Sequence, residues 1–309
     1  MEAIRASRLC KSFGPVAAVN NLDLEVHPGE IFGLVGPDGA GKTTTMRLLT
    51  AVMDPTSGDA WVLDRHTVRE SEAVKNDIGY MSQRFGLYPD LTVEENIHFY
   101  ADIFMVPQKG REERLHELLS FSNLTPFRAR QAKNLSGGMK QKLGLACTLI
   151  HTPRVLFLDE PTGGVDPVSR RDFWRILYHL LKQGVTIFVS TSYLDEAERC
   201  NRVGFIHQGR LMAVDTPDNL KKLMKGNILE ILTPQARHAA AVLRQQMPGS
   251  SVGVFGDRVH VQIVDADRQR GRIEEILRTN NCAAEEMHVI EPSLEDVFIS
   301  ILGDRGVHS

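Results

Sequence analysis

Residues 36–43 carry the most specific chemical pattern in the sequence, a full match to G-x-x-x-x-G-K-[S/T]. Its glycines let the backbone curl until successive N–H groups converge on phosphate oxygens, and a following helix directs its positive end there. Lys42 can reach the β- and γ-phosphates of a nucleotide, and the Thr43 hydroxyl can ligate Mg²⁺. The predicted nucleotide-binding residues of this loop are Gly36, Pro37, Asp38, Gly39, Ala40, Gly41, Lys42, Thr43 and Thr44.

Two carboxylates follow a second apolar segment. Residues Val155–Leu158 are typical of a buried strand, and Asp159 and Glu160 come directly after it. A buried strand delivers them to the carboxyl edge of a parallel sheet, beside the phosphate loop. Asp159 can then hold Mg²⁺ directly or through water, and Glu160 can polarise an attacking water. Without the phosphate loop upstream, the same pair could be an exposed turn.

A third pattern occurs at residues 135–141, which read Leu-Ser-Gly-Gly-Met-Lys-Gln and open a helix predicted to run through Leu149. Ser136 is a natural N-cap, with the N–H groups of Gly137 and Gly138 beside it. These residues predict a second anion site. Taken alone, the pattern favours an ordinary capped helix start.

The elements that must position these residues can be predicted from the hydrophobic pattern. Short apolar runs alternate with helical periods, which is typical of an α/β sheet with crossover helices. Buried strands are predicted at Ile31–Val35, Val155–Leu158 and Val185–Val189, and a helix at about 42–50. Residues from about 85 to 152 are dominated by helical patterns and predict a helical insert.

The character of the sequence changes near Lys225. The remaining residues alternate as strand, helix, hairpin, helix and strand, and residues 255–258 supply the turn chemistry of the hairpin. This βαββαβ order predicts a small α+β domain of ferredoxin-like type. We therefore expect a large domain over residues 1–225, which includes the helical insert, and a small domain over residues 226–309.

Composition limits the classes of function. The formal charge of −3 gives no global basic field that would hold nucleic acid or an anionic membrane surface. No stretch approaches the ~18 uncharged apolar residues of a membrane span, and the first residues lack the order of a secretory signal. The cysteines lack metal-ligand spacing and are expected to be reduced. We expect a cytosolic chain without a nucleic-acid partner, attached to a membrane only through another protein.

Taken together, the three patterns resemble those of the ATP-binding cassette (ABC) ATPases of transporters. The resemblance covers residues 1 to about 225, with every motif in order. It implies a P-loop NTPase fold of ABC type with a mixed sheet core and a helical subdomain. ATP and Mg²⁺ are the implied cofactors, and Thr43, Gln83 and Asp159 are the implied metal-contacting residues.

The resemblance also implies roles for residues that are not specific alone. Phe13 would stack on adenine, Gln83 would contact the lytic water, and Pro161–Asp166 would contain the D-loop. Ser136 and Gly138, with Gly137 between them, would cap the γ-phosphate held by the phosphate loop of an opposing cassette. One chain would then contribute half of each of two composite sites.

One position departs from the family pattern. Where family members usually carry a switch histidine after the strand Val185–Val189, this chain has Ser192. A hydroxyl can hydrogen-bond phosphate, but it is shorter than imidazole and cannot take up a proton near neutral pH. The predicted catalytic residues are therefore Lys42, Gln83, Glu160 and Ser192.

The departure at residue 192, the phosphate loop and the signature segment most resemble the amino-terminal cassette of tandem-cassette ATPases from bacterial multidrug exporters. This implies an ATP-hydrolysing subunit on the cytoplasmic face of the cell membrane that powers a separate integral membrane permease. Drugs or other amphiphiles would be the exported substrates. The second cassette of the dimer would be either another copy of this chain or a partner that carries the histidine.

Two alternatives stay open at this point. A cassette ATPase could act outside transport, in translation or DNA repair, although the chain lacks the second cassette, basic linker or long coiled coil of such proteins. A regulatory cassette could bind ATP and hydrolyse it only weakly because of Ser192. Retention of Glu160 argues against complete loss of hydrolysis.

Overall fold

The three apolar runs predicted as buried strands form the centre of a sheet. In the computed structural model, which describes residues 2–224 and 226–306, every residue of the corresponding strands is buried. Strands covered on both faces need such continuous apolar runs, because neither face meets water. The rings of Phe32 and Phe157 both pack against Phe188 of the middle strand, with centroid distances of 5.4 and 5.6 Å.

The chain divides into two units, Met1–Ala213 and Val214–Ser309. In chain order, the elements up to the end of the first unit are β1 (Ile4–Phe13), β2 (Val16–Val26), β3 (Ile31–Val35), α1 (Lys42–Leu49), β4 (Ser57–Val62), β5 (Arg65–His66), α2 (Ser71–Asp77), β6 (Ile78–Met81), α3 (Val93–Ile103), α4 (Arg111–Phe121), α5 (Gly137–Leu149), β7 (Val155–Asp159), α6 (Pro167–Lys182), β8 (Thr186–Thr191), α7 (Leu194–Ala197), β9 (Arg202–His207) and β10 (Arg210–Asp215), with 3₁₀ turns at Thr125–Phe127 and Ala132–Asn134.

Two sheets build this unit. The larger has the strand order β10-β9-β3-β8-β7-β6, and its strands β9, β3, β8, β7 and β6 run parallel. The smaller has the order β2-β1-β4-β5 with antiparallel pairing. The sequence patterns predicted three central strands of the first sheet, β3, β7 and β8, and none of the second. The strands of the second sheet alternate only loosely between buried and exposed residues.

The register of the parallel sheet determines where its loops emerge. Val35 at the end of β3 pairs with Thr191 of β8, and Asp159 at the end of β7 pairs with Ser190. The loops that follow these strands therefore leave the sheet at one edge. Because β8 extends two residues beyond the predicted end at Val189, the hydroxyls of its last residues belong to this edge.

The predicted helical insert contains α3, α4 and α5. Thr92 and Glu95 form a capping box at the start of α3, which satisfies backbone N–H groups there. The helix ends at Ile103, and Met105 adopts a positive φ of 51°. Within the two described stretches of chain, no helix combines the length and apolar character needed to cross a membrane.

The second unit has the elements α8 (Pro217–Lys221), β11 (Asn227–Leu232), α9 (Ala236–Gln246), β12 (Val252–Phe255), β13 (Arg258–Ile263), α10 (Ala266–Thr279), β14 (Glu286–Ile290) and α11 (Leu294–Gly306). Its antiparallel sheet has the order β12-β13-β11-β14, which is the ferredoxin-like arrangement. Residues of α9, α10 and one sheet face form its hydrophobic core.

The structure divides the chain at a different position from the predicted domain boundary. We expected the boundary near Lys225, which itself lies outside the described residues. The division of the structure falls between Ala213 and Val214, and α8 belongs to the second unit because it packs against α11. A short helix between two domains carries no pattern that indicates which one it joins.

His260 connects the sheet of the second unit to α11. Val259 and Val261 point into the hydrophobic core, so His260 points to the opposite face. Its Nδ1 lies 2.8 Å from Asp296 Oδ1, and its Nε2 lies 3.1 Å from Glu230 Oε2. Both hydrogen bonds form only when the imidazole is protonated. Burial opposes the charge, yet the hydrogen bonds and charges of Asp296 and Glu230 outweigh it and raise the pKa of His260.

This raised pKa predicts a pH dependence of the second unit. The contact contributes stability that is complete below the unfolded-state pKa of about 6.5 and is lost as the pH rises through the higher folded-state pKa. In an NMR titration of the full chain, the His260 ring should titrate above 6.5. Glu230→Gln should lower that midpoint, whereas Glu274→Gln, at an exposed site on α10, should not. A His260 pKa below 6.5 would contradict the charged contact.

Candidate active site

The phosphate loop connects β3 to α1 and lies directly against backbone. Gly41 is the N-cap residue of α1 and has a φ of 105°, a conformation that favours glycine. A Cβ on Gly41 would lie 2.3 Å from the Ala18 carbonyl oxygen, and one on Gly36 would lie 2.2 Å from the Ile206 carbonyl oxygen. Both positions therefore exclude any side chain, and the loop is held between β2 and β9.

The loop opens onto a cavity of about 360 Å³. Several predicted site residues line it together, and Ala18 of β2, which the sequence did not indicate, completes the wall. Its lining residues are Ala18, Asp38, Gly39, Ala40, Gly41, Lys42, Thr43, Thr44, Gln83 and Glu160. The positive end of α1 faces this space, which suits an anionic ligand.

Lys42 holds the central charge of the cavity. Its side chain is only 4% exposed, and its Nζ donates to the carbonyl oxygens of Gly36 at 2.7 Å and Pro37 at 3.1 Å. The same nitrogen donates to Ser192 Oγ at 3.0 Å and lies 3.1 Å from Glu160 Oε1. An incoming phosphate group can replace the last two partners without disturbing the loop carbonyls.

Asp159 offers the features of a metal-binding carboxylate. It is 1% exposed, and its Oδ1 accepts hydrogen bonds from Thr43 Oγ1 at 3.2 Å and Ser190 Oγ at 2.6 Å. Its Oδ2 is buried and has no hydrogen-bond partner among the described residues. Leaving a buried acceptor unpaired is unfavourable, and Mg²⁺ prefers such oxygen ligands. Asp159 and Thr43 therefore fit an Mg²⁺ ion.

Glu160 joins the predicted catalytic residues. Its Oε2 accepts from Gln83 Nε2 at 3.1 Å, and its Oε1 accepts from Ser192 Oγ at 3.0 Å and faces Lys42. Its backbone N–H donates to both the carbonyl oxygen and the hydroxyl of Ser190, each at 3.1 Å. The Glu160 carboxylate thus contacts three residues that lie far from it in the sequence, Lys42, Gln83 and Ser192.

Ser192 lies directly after β8, and its hydroxyl contacts Lys42 and Glu160. Besides Lys42 and Glu160, its Oγ lies 3.4 Å from Asp38 Oδ1. A hydroxyl donates one hydrogen bond, so Glu160 and Asp38 compete for it while Lys42 donates to its lone pair. Ser192, which stands where family members usually carry a histidine, is therefore in direct contact with the residues of the site.

Phe13 and the Ser136–Gly138 segment lie elsewhere; among the described residues, neither belongs to the lining of the cavity around Lys42. Phe13 ends β1 with 49% of its surface exposed, and Lys11 Nζ lies 5.5 Å from its ring centroid. Ser136 caps α5 by accepting from the N–H of Met139 at 3.3 Å. Ser136 and Gly137 are exposed, as residues that face another molecule would be.

Sequence reasoning missed Ser190, which touches both Asp159 and the Glu160 backbone. Its side chain is fully buried at the end of β8, where its hydroxyl replaces water as the partner of the two acidic residues. The available signal was its place directly after the apolar residues Ile187–Val189, two residues before Ser192. A serine there is equally compatible with an ordinary buried strand.

Comparisons with known proteins identify the family of this chain. The sequence profile of the family described as ABC transporter matches residues 19–163. The probable multidrug ABC transporter ATP-binding protein YbhF of Escherichia coli (strain K12) is 41% identical over 291 residues, covering 94% of this chain and 50% of YbhF. The chain thus spans about half the length of that relative. The daunorubicin resistance ATP-binding protein DrrA2 of Streptomyces coeruleorubidus is 34% identical over 308 residues, covering 98% of this chain and 96% of DrrA2.

Solved structures give the same fold. The dimeric structure of a post-hydrolysis state of the ATP-binding cassette MJ0796 bound to ADP and Pi has a TM-score of 0.63 and 25% identity, covering 69% of this chain and 98% of that one. The cbiO1 structure from Clostridium perfringens has a TM-score of 0.66 at 21% identity, covering 80% and 96%. That second likeness concerns the fold alone.

The fold and the cavity around Lys42 are those of a P-loop nucleotide-binding cassette. Relatives that match this chain along nearly their whole length make the assignment specific. The chain belongs to the family of ABC transporter ATP-binding proteins. The sequence-based predictions of this family and of an α/β P-loop fold of ABC type are confirmed.

The position of Lys42 predicts how its removal affects nucleotide binding. Lys42→Ala should abolish tight binding of Mg-ATP, because a hydrogen bond to a charged group contributes roughly 1.5–3 kcal/mol. Isothermal titration calorimetry measures the loss. Lys75→Ala, which removes an exposed lysine from α2, should leave the affinity unchanged. Equal affinities of Lys42→Ala and wild type would show that the phosphates bind elsewhere.

Proposed function

We propose that this chain is an ATPase that binds and hydrolyses Mg-ATP to power a separate membrane permease. One observation carries the proposal: the Glu160 carboxylate lies 3.0–3.1 Å from Lys42, Gln83 and Ser192 inside the phosphate-loop cavity. A carboxylate held in this way can orient a water molecule toward a phosphate bound by the loop.

The contacts of Lys42 suggest how ATP binding prepares the site. Lys42 and the start of α1 bind the β- and γ-phosphates, while Thr43 and Asp159 hold Mg²⁺. Mg²⁺, when bound, withdraws charge from the phosphate oxygens. Because the phosphates take the place of Glu160 at Lys42, the carboxylate is released to polarise water, with Gln83 beside it. Water adds to the γ-phosphorus, the bond to the β-phosphate oxygen breaks, and ADP and phosphate leave.

A second cassette completes the site in this proposal. Ser136 and Gly137 are exposed at the start of α5, and Gly138 packs against α6, where an added Cβ would lie 2.5 Å from Ser169. These residues would bind the γ-phosphate of an opposing cassette, and Phe13 would stack on adenine. The MJ0796 structure is described as dimeric, which supports this arrangement. The partner is another copy of this chain or a cassette that carries a histidine at the position of Ser192.

The relatives support export as the coupled process. Their names concern multidrug transport, daunorubicin resistance, bacitracin transport and Nod factor export. We therefore propose that the substrates are drugs or other amphiphiles, selected by an integral membrane permease. The chain would act on the cytoplasmic face of the membrane through that permease.

A second cavity of about 370 Å³ is the proposed docking groove. Gln83 lines both this groove and the phosphate cavity, so a partner in the groove would lie next to the Glu160 contact. The groove combines apolar walls with basic side chains. Its lining residues are Gln83, Arg84, Phe85, Leu87, Pro89, Ala132, Lys133, Lys140 and Gln141.

The groove predicts which surface change disrupts permease binding. Leu87→Glu places a charge in the groove and should prevent recovery of a membrane protein with the tagged chain from detergent-solubilised native membranes. Val52→Glu, at an exposed apolar residue outside the groove, is the matched control and should retain the partner. Thermal melting should show both variants folded. Equal recovery with both would place the docking surface elsewhere.

One alternative is favoured by a specific observation. Because Ser192 presents a hydroxyl where an imidazole would reach further, the chain could be a regulatory cassette that binds ATP and hydrolyses it weakly. A role in translation or DNA repair has no corresponding observation, and the relatives named above are transport or resistance proteins.

Hydrolysis is tested most directly at Glu160. Glu160→Gln keeps the shape of the side chain and removes the charge that polarises water. We expect ATP binding comparable to that of wild type and at least a tenfold lower turnover, which corresponds to roughly 1.4 kcal/mol or more in the activation barrier. Calorimetry and a steady-state phosphate-release assay measure the two quantities.

The same assay separates the alternatives. A slow wild type that is accelerated several-fold by Ser192→His would favour the regulatory cassette or a histidine-bearing partner. If Ser192→Ala equals wild type and Ser192→His adds nothing, residue 192 has no catalytic role. Equal turnover of Glu160→Gln and wild type would mean that another group polarises the water.

A further inference from the structure

The backbone at Glu160 is strained. Its φ is 48°, in the left-handed region that a residue with a side chain rarely occupies. Such strain persists only where the surroundings fix the conformation. The turn after β7 supplies part of this restraint, because the Glu160 N–H donates to Ser190 and the Glu160 carbonyl oxygen accepts from the N–H of Gly163 at 3.1 Å.

A second restraint comes from a carboxylate outside the cavity. Glu196 of α7 is fully buried and accepts a hydrogen bond from the Thr162 hydroxyl through Oε1. Its Oε2 accepts from the Thr191 hydroxyl at 2.8 Å. Thr162 lies two residues after Glu160, and Thr191 lies immediately before Ser192. One buried side chain therefore holds both chain segments that carry the Glu160–Ser192 contact.

The charge of Glu196 is compensated within the protein. Arg170 Nε of α6 lies 3.4 Å from Glu196 Oε1, and the Arg170 guanidinium packs over the Tyr193 ring at 4.4 Å from its centroid. Thr162 and Thr191 are each 1% exposed, so water has little access to the two hydroxyls. A buried carboxylate with two hydroxyl donors and a nearby cation is a rigid anchor, because each hydroxyl would lose its hydrogen bond if it moved.

We propose that Glu196 is a positioning residue that sets the geometry of Glu160 relative to Ser192 and Lys42. It acts through Thr162 and Thr191 and touches neither the cavity nor its ligand. This inference rests on the proposed ATPase function, since the geometry that it sets is that of the hydrolytic step. A contact of this kind should affect turnover more than nucleotide affinity, because small displacements of a reacting group lower rates strongly.

A role limited to anchoring α7 makes a different prediction. Loss of a purely structural contact would lower the melting temperature and leave the turnover of the folded protein unchanged. The split between turnover and affinity therefore separates positioning from anchoring.

The test uses the full chain and a matched pair of variants at Thr162. Thr162→Val removes the hydroxyl and keeps the shape, whereas Thr162→Ser keeps the hydroxyl and serves as the rescue. We expect Thr162→Val to lower kcat about tenfold while KM and the ATP dissociation constant change less than twofold. Thr162→Ser should recover most of the wild-type kcat. A kcat for Thr162→Val within twofold of wild type would overturn the inference.

Glu196→Gln provides a second measurement that does not depend on hydrolysis. It replaces the acceptor Oε1 or Oε2 with an amide and removes one of the two carboxylates near Arg170, while Asp195 Oδ2 stays 3.6 Å from its guanidinium. Hydrogen exchange should become faster both at Glu160 and at Tyr193, whose N–H donates to Thr191 Oγ1 at 3.0 Å. Thr162→Val should accelerate exchange at Tyr193 as well, across the Glu196 bridge. Unchanged exchange at Tyr193 in both variants would overturn the coupling.

These measurements keep the two proposals distinct. If wild type and Ser192→His both bind ATP and neither releases phosphate, the proposed hydrolytic function fails, and hydrogen exchange still decides whether Glu196 couples the two segments. If wild type hydrolyses ATP and Thr162→Val does so equally well, only the inference about Glu196 fails.

Discussion

The buried ammonium group of Lys42 is the charge on which the site depends. A cation withdrawn from water must be compensated by nearby acceptors, because an uncompensated buried charge is very unfavourable. Loop carbonyls supply part of the compensation, and Glu160 and Ser192 supply the rest. Those two residues follow β7 and β8. Because β8 pairs with β3, and β7 pairs with β8, both residues come within reach of the loop that follows β3. The strand order thus places the residues that compensate the positive charge of Lys42 Nζ.

The sequence predicted those parts of the site that depend on a short local pattern, namely a buried strand followed directly by polar residues. The phosphate loop, Asp159 and Glu160 follow buried strands in patterns that any parallel sheet converts into neighbours at its carboxyl edge. The burial of β3 and β7 and the start of α1 were predicted for the same reason. Gln83 and Ser192 required the family resemblance, because a lone amide or hydroxyl carries no local signal.

The remaining parts depend on tertiary register, which no local pattern encodes. Ser190 and Glu196 act because β8 and α7 place their side chains against the turn after β7. A buried glutamate in a short helix reads in the sequence as an exposed one, since charged residues are seldom buried. The antiparallel sheet β2-β1-β4-β5 of the first unit was not predicted, because its strands are irregular and the pairing of β1 contains register shifts. Only the packed structure shows which polar residues have partners.

The close packing of backbone against Gly36 and Gly41 limits which mutations these two positions can tolerate. Because two strands pack directly against the loop, little conformational entropy is lost when a ligand arrives, and the site is preorganised. The same contacts leave no space for a methyl group. Every amino acid other than glycine has a Cβ. Any missense mutation in either glycine codon therefore introduces an atom that this backbone cannot accommodate. The rigidity that favours binding also makes these two codons intolerant of mutation.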